Sequence, residues 1–371
     1  MIEWRLPHHD MWSEWMQRLS ERDSRSDILT NVLVYIPFGF LLLINLPGKF
    51  GSISKVILVT ALGTMLSVTI EYLQLYLPSR TSSLLDVLLN AVSSCIGGLS
   101  AWGMGEQSLL GEKLSAQRQR WFHYGQVTDI GLLVLAAWAA MQLAPFVPSL
   151  DFGDIKNGIK PVWFTLHDMS RFNVQRAVTY TMYISGLGAA LKLILRNSSY
   201  AVIWQFIFAG TVLLCKILIY GRQLSLEALV GLCGGAVILL IMQYLPLRVS
   251  LAGLFCVAAG FIVEELRPDV TSGVSFHDFN WIPFSSQMDN NINGIGAIME
   301  GLWPFMAIAF FYLSLKVHIR KAMVVFWGGI IAFVVIMLEF AQVQISGRYP
   351  DVTTVLLAIV GWSLPLMLSK I

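Results

Sequence analysis

Residues 55–77 read KVILVTALGTMLSVTIEYLQLYL and residues 322–345 read AMVVFWGGIIAFVVIMLEFAQVQI. Each is an apolar run of membrane-crossing length with a glutamate near its end and a glutamine three residues later: Glu71 and Gln74 in the first, Glu339 and Gln342 in the second. An arginine follows each glutamate by nine residues (Arg80, Arg348), and a Pro-Phe pair precedes it by 34 or 35 (Pro37-Phe38, Pro304-Phe305). The match therefore extends over two helices and their connection. It is an internal repeat, and its polar residues sit where burial is expensive.

The surrounding chain of 371 residues is 56% hydrophobic and 13% charged, with a mean hydropathy of +0.66. A soluble domain would carry about a quarter charged residues. Apolar runs recur near residues 28–46, 55–77, 84–104, 128–147, 177–195, 200–220, 225–245, 247–263, 300–315, 322–345 and 352–369. Each suffices to cross a hydrocarbon core of about 30 Å as a helix. Lipid offers no partner to backbone N–H and C=O groups, so these runs are expected to be helices. The fold class read from the sequence is an all-α polytopic membrane protein with about 11 transmembrane helices, located as a multi-pass protein in the cell (cytoplasmic) membrane.

Several function classes drop out. Cys95, Cys215, Cys233 and Cys256 lie in apolar runs without C-x-x-C spacing, and the six histidines show no H-x-x-x-H pattern, so neither a metal nor another cofactor is expected. No phosphate-binding loop of nucleotide hydrolases is present; Gly221-Arg222-Gln223 does not form one. A net charge of +2 spread over short connections gives no nucleic-acid patch.

The repeat organises the chain. Spans 1–3, 5–7 and 9–11 read as three pseudo-repeated helix triplets joined by spans 4 and 8. Arg222 ends span 6 as Arg80 and Arg348 end spans 2 and 10, while Leu213 and Lys216 stand where the glutamate and glutamine would be, so the polar site of the middle copy is expected to be degenerate. The divisions are 1–26, an amphipathic interfacial segment with Trp12 and Trp15 on one face and no cleavable signal pattern; 27–105, the first unit; 106–150, a connector and joining helix; 151–245, the degenerate middle unit; and 246–371, a joining helix and the last unit. The three arginine-bearing loops should emerge on one face. Lys49, Lys55, Lys113, Arg118, Arg120, Lys192, Arg196, Lys316, Arg320 and Lys321 fall on the other, which by the positive-inside rule favours an extracytoplasmic arginine face with the N-terminus outside and the C-terminus inside; Arg5, Arg18, Arg22, Arg25, Lys156, Lys160, Arg171 and Arg176 count against it. Segments 148–172 and 264–297 are read as long loops on the arginine face.

Glu71 and Gln74 share a helical face, and Asp86 and Asn90 share one on the next helix. At 1.5 Å per residue Glu71 and Asp86 both lie roughly 8–10 Å below the turn holding Arg80. Asn31 approaches the same surface from the first span. The last triplet offers Glu300, Glu339, Gln342, Arg348 and Asp351. Intramembrane acids usually face a bundle interior and often mark functional paths, though Arg–Glu and amide pairs can also simply fix helix packing. Guanidinium beside amides and acids suits phosphate or sugar oxygens.

These residues resemble the VanZ-like family of bacterial membrane proteins, which has a member encoded with glycopeptide-resistance genes. The run Asn31-Val32-Leu33-Val34-Tyr35-Ile36-Pro37-Phe38-Gly39-Phe40-Leu41 is similar to its first core helix. The segments Glu71-Tyr72-Leu73-Gln74 to Arg80, then Asp86 to Asn90 and Gly97-Gly98, are similar to its second and third. Asn280-Trp281-Ile282-Pro283-Phe284 resembles its N-L-I-P-F loop and makes Asn280 a candidate site residue. The resemblance implies an envelope protein, here in tandem units, and names no reaction. The leading expectation is binding of an envelope lipid or lipid-linked saccharide at the outer leaflet, with effects on cell-envelope assembly or glycopeptide tolerance. The alternatives are a transferase or hydrolase with Glu71 or Glu339 as base and Arg80 or Arg348 on phosphate, a transporter or flippase, and a scaffold for other envelope proteins.

Overall fold

The structure, a computed structural model, describes residues 25–47, 51–76, 82–105, 108–149, 151–244, 248–268, 276–284, 294–315 and 320–369. Among them are thirteen α-helices, three 3₁₀ segments and no strand. Two compact units form. One comprises the described residues up to Arg118 with Phe146–Pro148, and the other Gln119–Pro145 with Ser149–Ile371.

In the first unit, α1 (Arg25–Asn45), α2 (Ser52–Gln74) and α3 (Leu84–Gly103) are followed by most of the polar helix α4 (Leu109–Trp121), whose residues from Gln119 on belong to the second unit. Helices α1 and α3 are its closest pair, and two glycines make that approach possible. A Cβ on Gly97 would lie 2.1 Å from the carbonyl oxygen of Ile36, and one on Gly39 would lie 2.2 Å from that of Ser94. Lipid tails are as apolar as leucine, so helices in a membrane gain from such close contact rather than from exclusion of water. Helix α2 buries only Val56, Val59, Gly63, Ser67 and Glu71, a stripe one residue wide. The rest of its surface is half-buried or exposed, with Ile53, Ile57 and Met65 among the most exposed, as a lipid-facing helix requires.

The second unit holds α5 (Gln126–Leu143), α6 (Phe152–His167), α7 (Val174–Ile194), α8 (Ala201–Cys215, extended by a 3₁₀ segment over Lys216–Leu218), α9 (Leu226–Tyr244), α10 (Val249–Glu265), α11 (Gly294–Ser314), α12 (Lys321–Gln342) and α13 (Val352–Leu368). Its core centres on α7 and α11, where Ile184, Leu187, Ile194, Trp303, Phe310 and Phe311 are fully buried. The Trp303 indole donates to the Val134 carbonyl (2.9 Å) and ties α11 to α5. Glycines again set the close pairs: Gly231 of α9 lies against Tyr180 and Thr181 of α7, and a Cβ on Gly361 of α13 would lie 2.5 Å from the Leu302 carbonyl of α11. Helix α12 resembles α2 in burying few residues, namely Val335, Glu339 and Gln342.

Eight helices among the described residues are long and apolar enough to cross a membrane, fewer than the eleven expected. Helices among the described residues overlie all eleven apolar runs, but α10 and α13 stop at 17 residues. A second difference concerns residues 148–172. Most of this expected loop is helix α6, whose apolar positions are interleaved with Asp154, Lys156, Asn157 and Lys160 and so form a face instead of a run. The interfacial segment expected near the N-terminus falls almost entirely outside the described residues.

The glycine contacts generate a stability test. Gly97→Val and Gly361→Val each force a helix pair apart and should cost about 1–3 kcal/mol, the usual range for overpacking. A Cβ on Gly329 meets nothing within 4 Å, so Gly329→Ala should be neutral or slightly stabilising. Thermal unfolding of the three variants in one detergent checks the order.

Candidate functional site

A helix N-terminus presents backbone N–H groups without helical partners, and in lipid no water supplies one. At the start of α3, Ser83 makes no side-chain cap, and its N–H donates instead to Glu71 Oε2 of the preceding helix (2.9 Å). At the start of α13, the N–H of Asp351 donates to Glu339 Oε2, also at 2.9 Å. Donor and acceptor are twelve residues apart in both units, and both glutamates are buried. A carboxylate here also meets the positive end of the helix dipole. The two glutamates singled out by the sequence repeat thus perform the same structural task, pinning a mostly lipid-facing helix to its neighbour.

Around Glu71 the first unit collects further polar groups. Asn90 donates to Ser67 Oγ (2.9 Å), Tyr35 contacts Ser67, and Asn31 donates to Asp86 Oδ1 (2.5 Å). Gln74 is half-buried one turn beyond Glu71, and Arg80 lies outside the described residues.

The second unit encloses a polar cavity of about 490 Å³. It is reached by the ends of α5, α10 and α12 and the beginnings of α7, α11 and α13. Its wall carries five basic side chains (Arg176, Lys216, Arg222, Arg267, Arg348) and five acidic ones (Glu264, Glu265, Glu300, Glu339, Asp351). This balance is what an ionic site among apolar helices demands, since an unpaired charge at depth costs about 2.5–3.5 kcal/mol on insertion scales. The pairs are specific. Arg267 Nη2 meets Glu264 Oε1 at 2.6 Å, Gln342 donates to Glu265, and Arg348 Nε donates to the Arg267 carbonyl at 2.7 Å. Arg222 Nη1 stands 3.7 Å from Glu300 Oε1, and Lys216 Nζ donates to Gln142 Oε1 (2.8 Å) and to the Tyr180 hydroxyl (3.1 Å). Asp351 Oδ1 caps α13 by accepting from Thr353 N (2.7 Å) and Thr354 N (3.3 Å).

Two wall groups are left open. Arg348 Nη2 is buried with no hydrogen-bond partner among the described residues. Glu300 is ringed by helices, yet 57% of its side chain remains accessible, so it faces the cavity lumen. Its own carbonyl lacks the usual helical donor, because Pro304 four residues on has no N–H. If a carboxylate exchanges protons with a ligand here, geometry favours Glu300 over Glu339, which is committed to the start of α13.

Residues 3–105 match the family model described as VanZ/LLP1. The first unit carries a VanZ-like domain. The VanZ-like match takes in Asn31, Glu71, Gln74, Arg80, Asp86 and Asn90 and spans under a third of the chain. No curated protein and no solved structure shows significant similarity to the chain. The likeness of the last unit to the VanZ-like segment therefore stands on its residues and on the shared glutamate tie.

Five of the six candidates named in the last unit line the cavity: Glu300, Glu339, Gln342, Arg348 and Asp351. The sixth, Asn280, braces it from outside. Its N–H donates to the Pro350 carbonyl (2.9 Å) and its carbonyl accepts from Val352 N–H (3.0 Å), fixing the turn that carries Arg348 and Asp351. Lys216 and Arg222, from the segment read as the middle unit, supply two of the five cations. Sequence reasoning also passed over Gln142, Arg176, Tyr180, Glu264, Glu265 and Arg267. The signals available were a lysine inside an apolar run and an acid pair closing one; the partners of Lys216 and Glu265 lie on helices distant in sequence.

The glutamate tie yields a paired prediction. Glu71→Ala and Glu339→Ala each strand a buried N–H and should lower stability by about 1–3 kcal/mol. Glutamine still offers an accepting oxygen, so Glu71→Gln and Glu339→Gln should retain a larger part of it. Unfolding of all four variants in detergent measures the difference.

Proposed function

We propose that this is a VanZ-type protein of the cytoplasmic membrane that binds the phosphate- or sugar-bearing head of an envelope lipid in the cavity of its second unit, from the extracytoplasmic face, and thereby influences envelope assembly or glycopeptide tolerance. The observation that carries this reading is the open functionality of the cavity. A purely structural ionic network would satisfy its members, because an unpaired buried polar group is costly. Here Arg348 Nη2 has no partner among the described residues, and Glu300 faces free space of about 490 Å³, within the range of small-molecule sites. Guanidinium, amide and carboxylate together match a head group bearing anionic oxygens and hydroxyls.

The same reading includes three related helix triplets. Its support is the recurring glutamate tie, the glycine-mediated contact of first with third helices, and one further correspondence. Asn31 donates to Asp86 in the first unit, and the Asn173 N–H donates to Glu227 at 3.0 Å in the middle one. Asn173 follows Asn31 by 142 residues, the same interval that separates Arg222 from Arg80. The distribution of lysine and arginine supports the orientation.

Lipid mass spectrometry on protein purified from native membranes tests the reading. Wild type should retain a phosphorylated or glycosylated lipid, and Arg348→Gln, at matched thermal stability, should lose about 90% of it, the tenfold effect of one charge-assisted contact. Indistinguishable lipid profiles would refute the cavity as a lipid site.

A further inference from the structure

A second cavity, of about 610 Å³, lies in the same unit between α6 and the turn running from Tyr220 to Glu227. Its charge is unlike that of the first. Lys160, Arg171, Arg176 and Arg222 face two acids, Asp154 and Glu227. Both acids are engaged: Glu227 Oε1 accepts the Asn173 N–H (3.0 Å), and Asp154 Oδ2 accepts the Ser149 hydroxyl (2.5 Å). Arg171 is held by Asp168 at 3.1 Å, and the Asp168 carboxyl stays below its ordinary range through the Ser170 hydroxyl first and Arg171 second. Arg176 is different, because its guanidinium makes no hydrogen bond or ion pair among the described residues. Arg176 and Arg222 also line the deep cavity, so they form the boundary between the two spaces.

Helix α6 places this cavity relative to lipid. At 100° per residue, Phe152, Ile159, Trp163 and Leu166 fall within an arc of about 60°. They are 89%, 44%, 61% and 57% exposed. The opposite side carries Asp154 and Asn157 on the cavity wall, with Lys160 on one flank and Gly158 on the other, so close to the Ile217 backbone that a Cβ would lie 3.2 Å away. A short helix with one bare apolar stripe including tryptophan, and polar groups behind it, has the form of an interfacial helix lying at the headgroup boundary.

We propose that the shallow cavity is a phosphoryl-binding site at the membrane surface, in which Arg176 and Arg222 ligate the phosphoryl oxygens of an amphiphile while the remainder of its polar head occupies the deep cavity. The second half of this statement rests on the function proposed above; the first stands on the cation excess, the unpartnered guanidinium and the lipid-facing helix. Guanidinium meets phosphoryl oxygens through paired donors, and two arginines on a shared wall can hold one such group from both cavities.

The test uses the full-length protein with two phosphoryl sources. Phosphatidic acid is presented in phosphatidylcholine nanodiscs and followed by native mass spectrometry, and inorganic pyrophosphate is titrated calorimetrically in detergent. Arg176→Gln should weaken phosphatidic acid binding about tenfold, and Arg176→Lys should restore part of it. Pyrophosphate binding with the same dependence on Arg176 means that a free phosphoryl anion is sufficient; lipid binding alone means that the membrane is the source. Unchanged binding of both probes in Arg176→Gln overturns the site. If that variant does not fold, phenylglyoxal footprinting of wild type decides: slower modification of Arg176 in the presence of either probe supports the site, and an unaltered rate overturns it. Arg348→Gln separates this proposal from the preceding one. Loss of the native lipid in Arg348→Gln but not in Arg176→Gln leaves the deep site standing and the shallow one refuted, and the reverse pattern does the opposite.

Discussion

The structure depends on a carboxylate from one helix meeting the bare amide at the start of the next. Without water, the start of a transmembrane helix must find its partners within the protein, and an acid on the preceding helix is well placed to provide one. Glu71 and Glu339 do so for α3 and α13. The tie is all the more important because α2 and α12 have little else: each turns most of its surface outward and buries a narrow stripe. In water an exposed apolar helix would be drawn in by the hydrophobic effect. In lipid that pull is absent, and a hydrogen bond to a buried acid determines where the helix rests.

The deep cavity follows from the same constraint applied to charges instead of amides. Helices α7, α10, α11 and α12 place ionic groups at one end of the bundle, where each can find an opposite charge across a short distance. Equal numbers of acids and bases on the wall keep insertion tolerable. The shallow cavity departs from that balance, as it can where polar groups lie behind an amphipathic helix instead of among buried spans.

Much of the fold was legible because membrane-spanning helices write themselves as apolar runs. The limits were at the ends. Seventeen residues in α10 and in α13 form a helix as surely as twenty-two do, and composition alone does not tell which is a full crossing. Helix α6 was hidden because a face, unlike a run, alternates with charge. In the site, Glu339, Gln342 and Arg348 were found because they repeat an earlier spacing. Glu264, Glu265 and Arg267 repeat nothing, and without the fold a pair of acids closing an apolar segment reads as the beginning of a loop. The role of Glu71 and Glu339 was similarly invisible, since a backbone amide leaves no mark in a sequence.

Helix α12 has one further mechanical property. All its fully buried side chains lie in its last two turns, while its first half makes lighter contact, through partly buried Val324 and Ile331 and the Trp362 indole donating to the Val324 carbonyl at 3.1 Å. It is therefore a lever with its fulcrum at Glu339 and Gln342. Tilting is one way a long apolar helix accommodates a mismatch with bilayer thickness. Were this helix to tilt to match the bilayer, it would turn about the wall of the deep cavity and alter the width there.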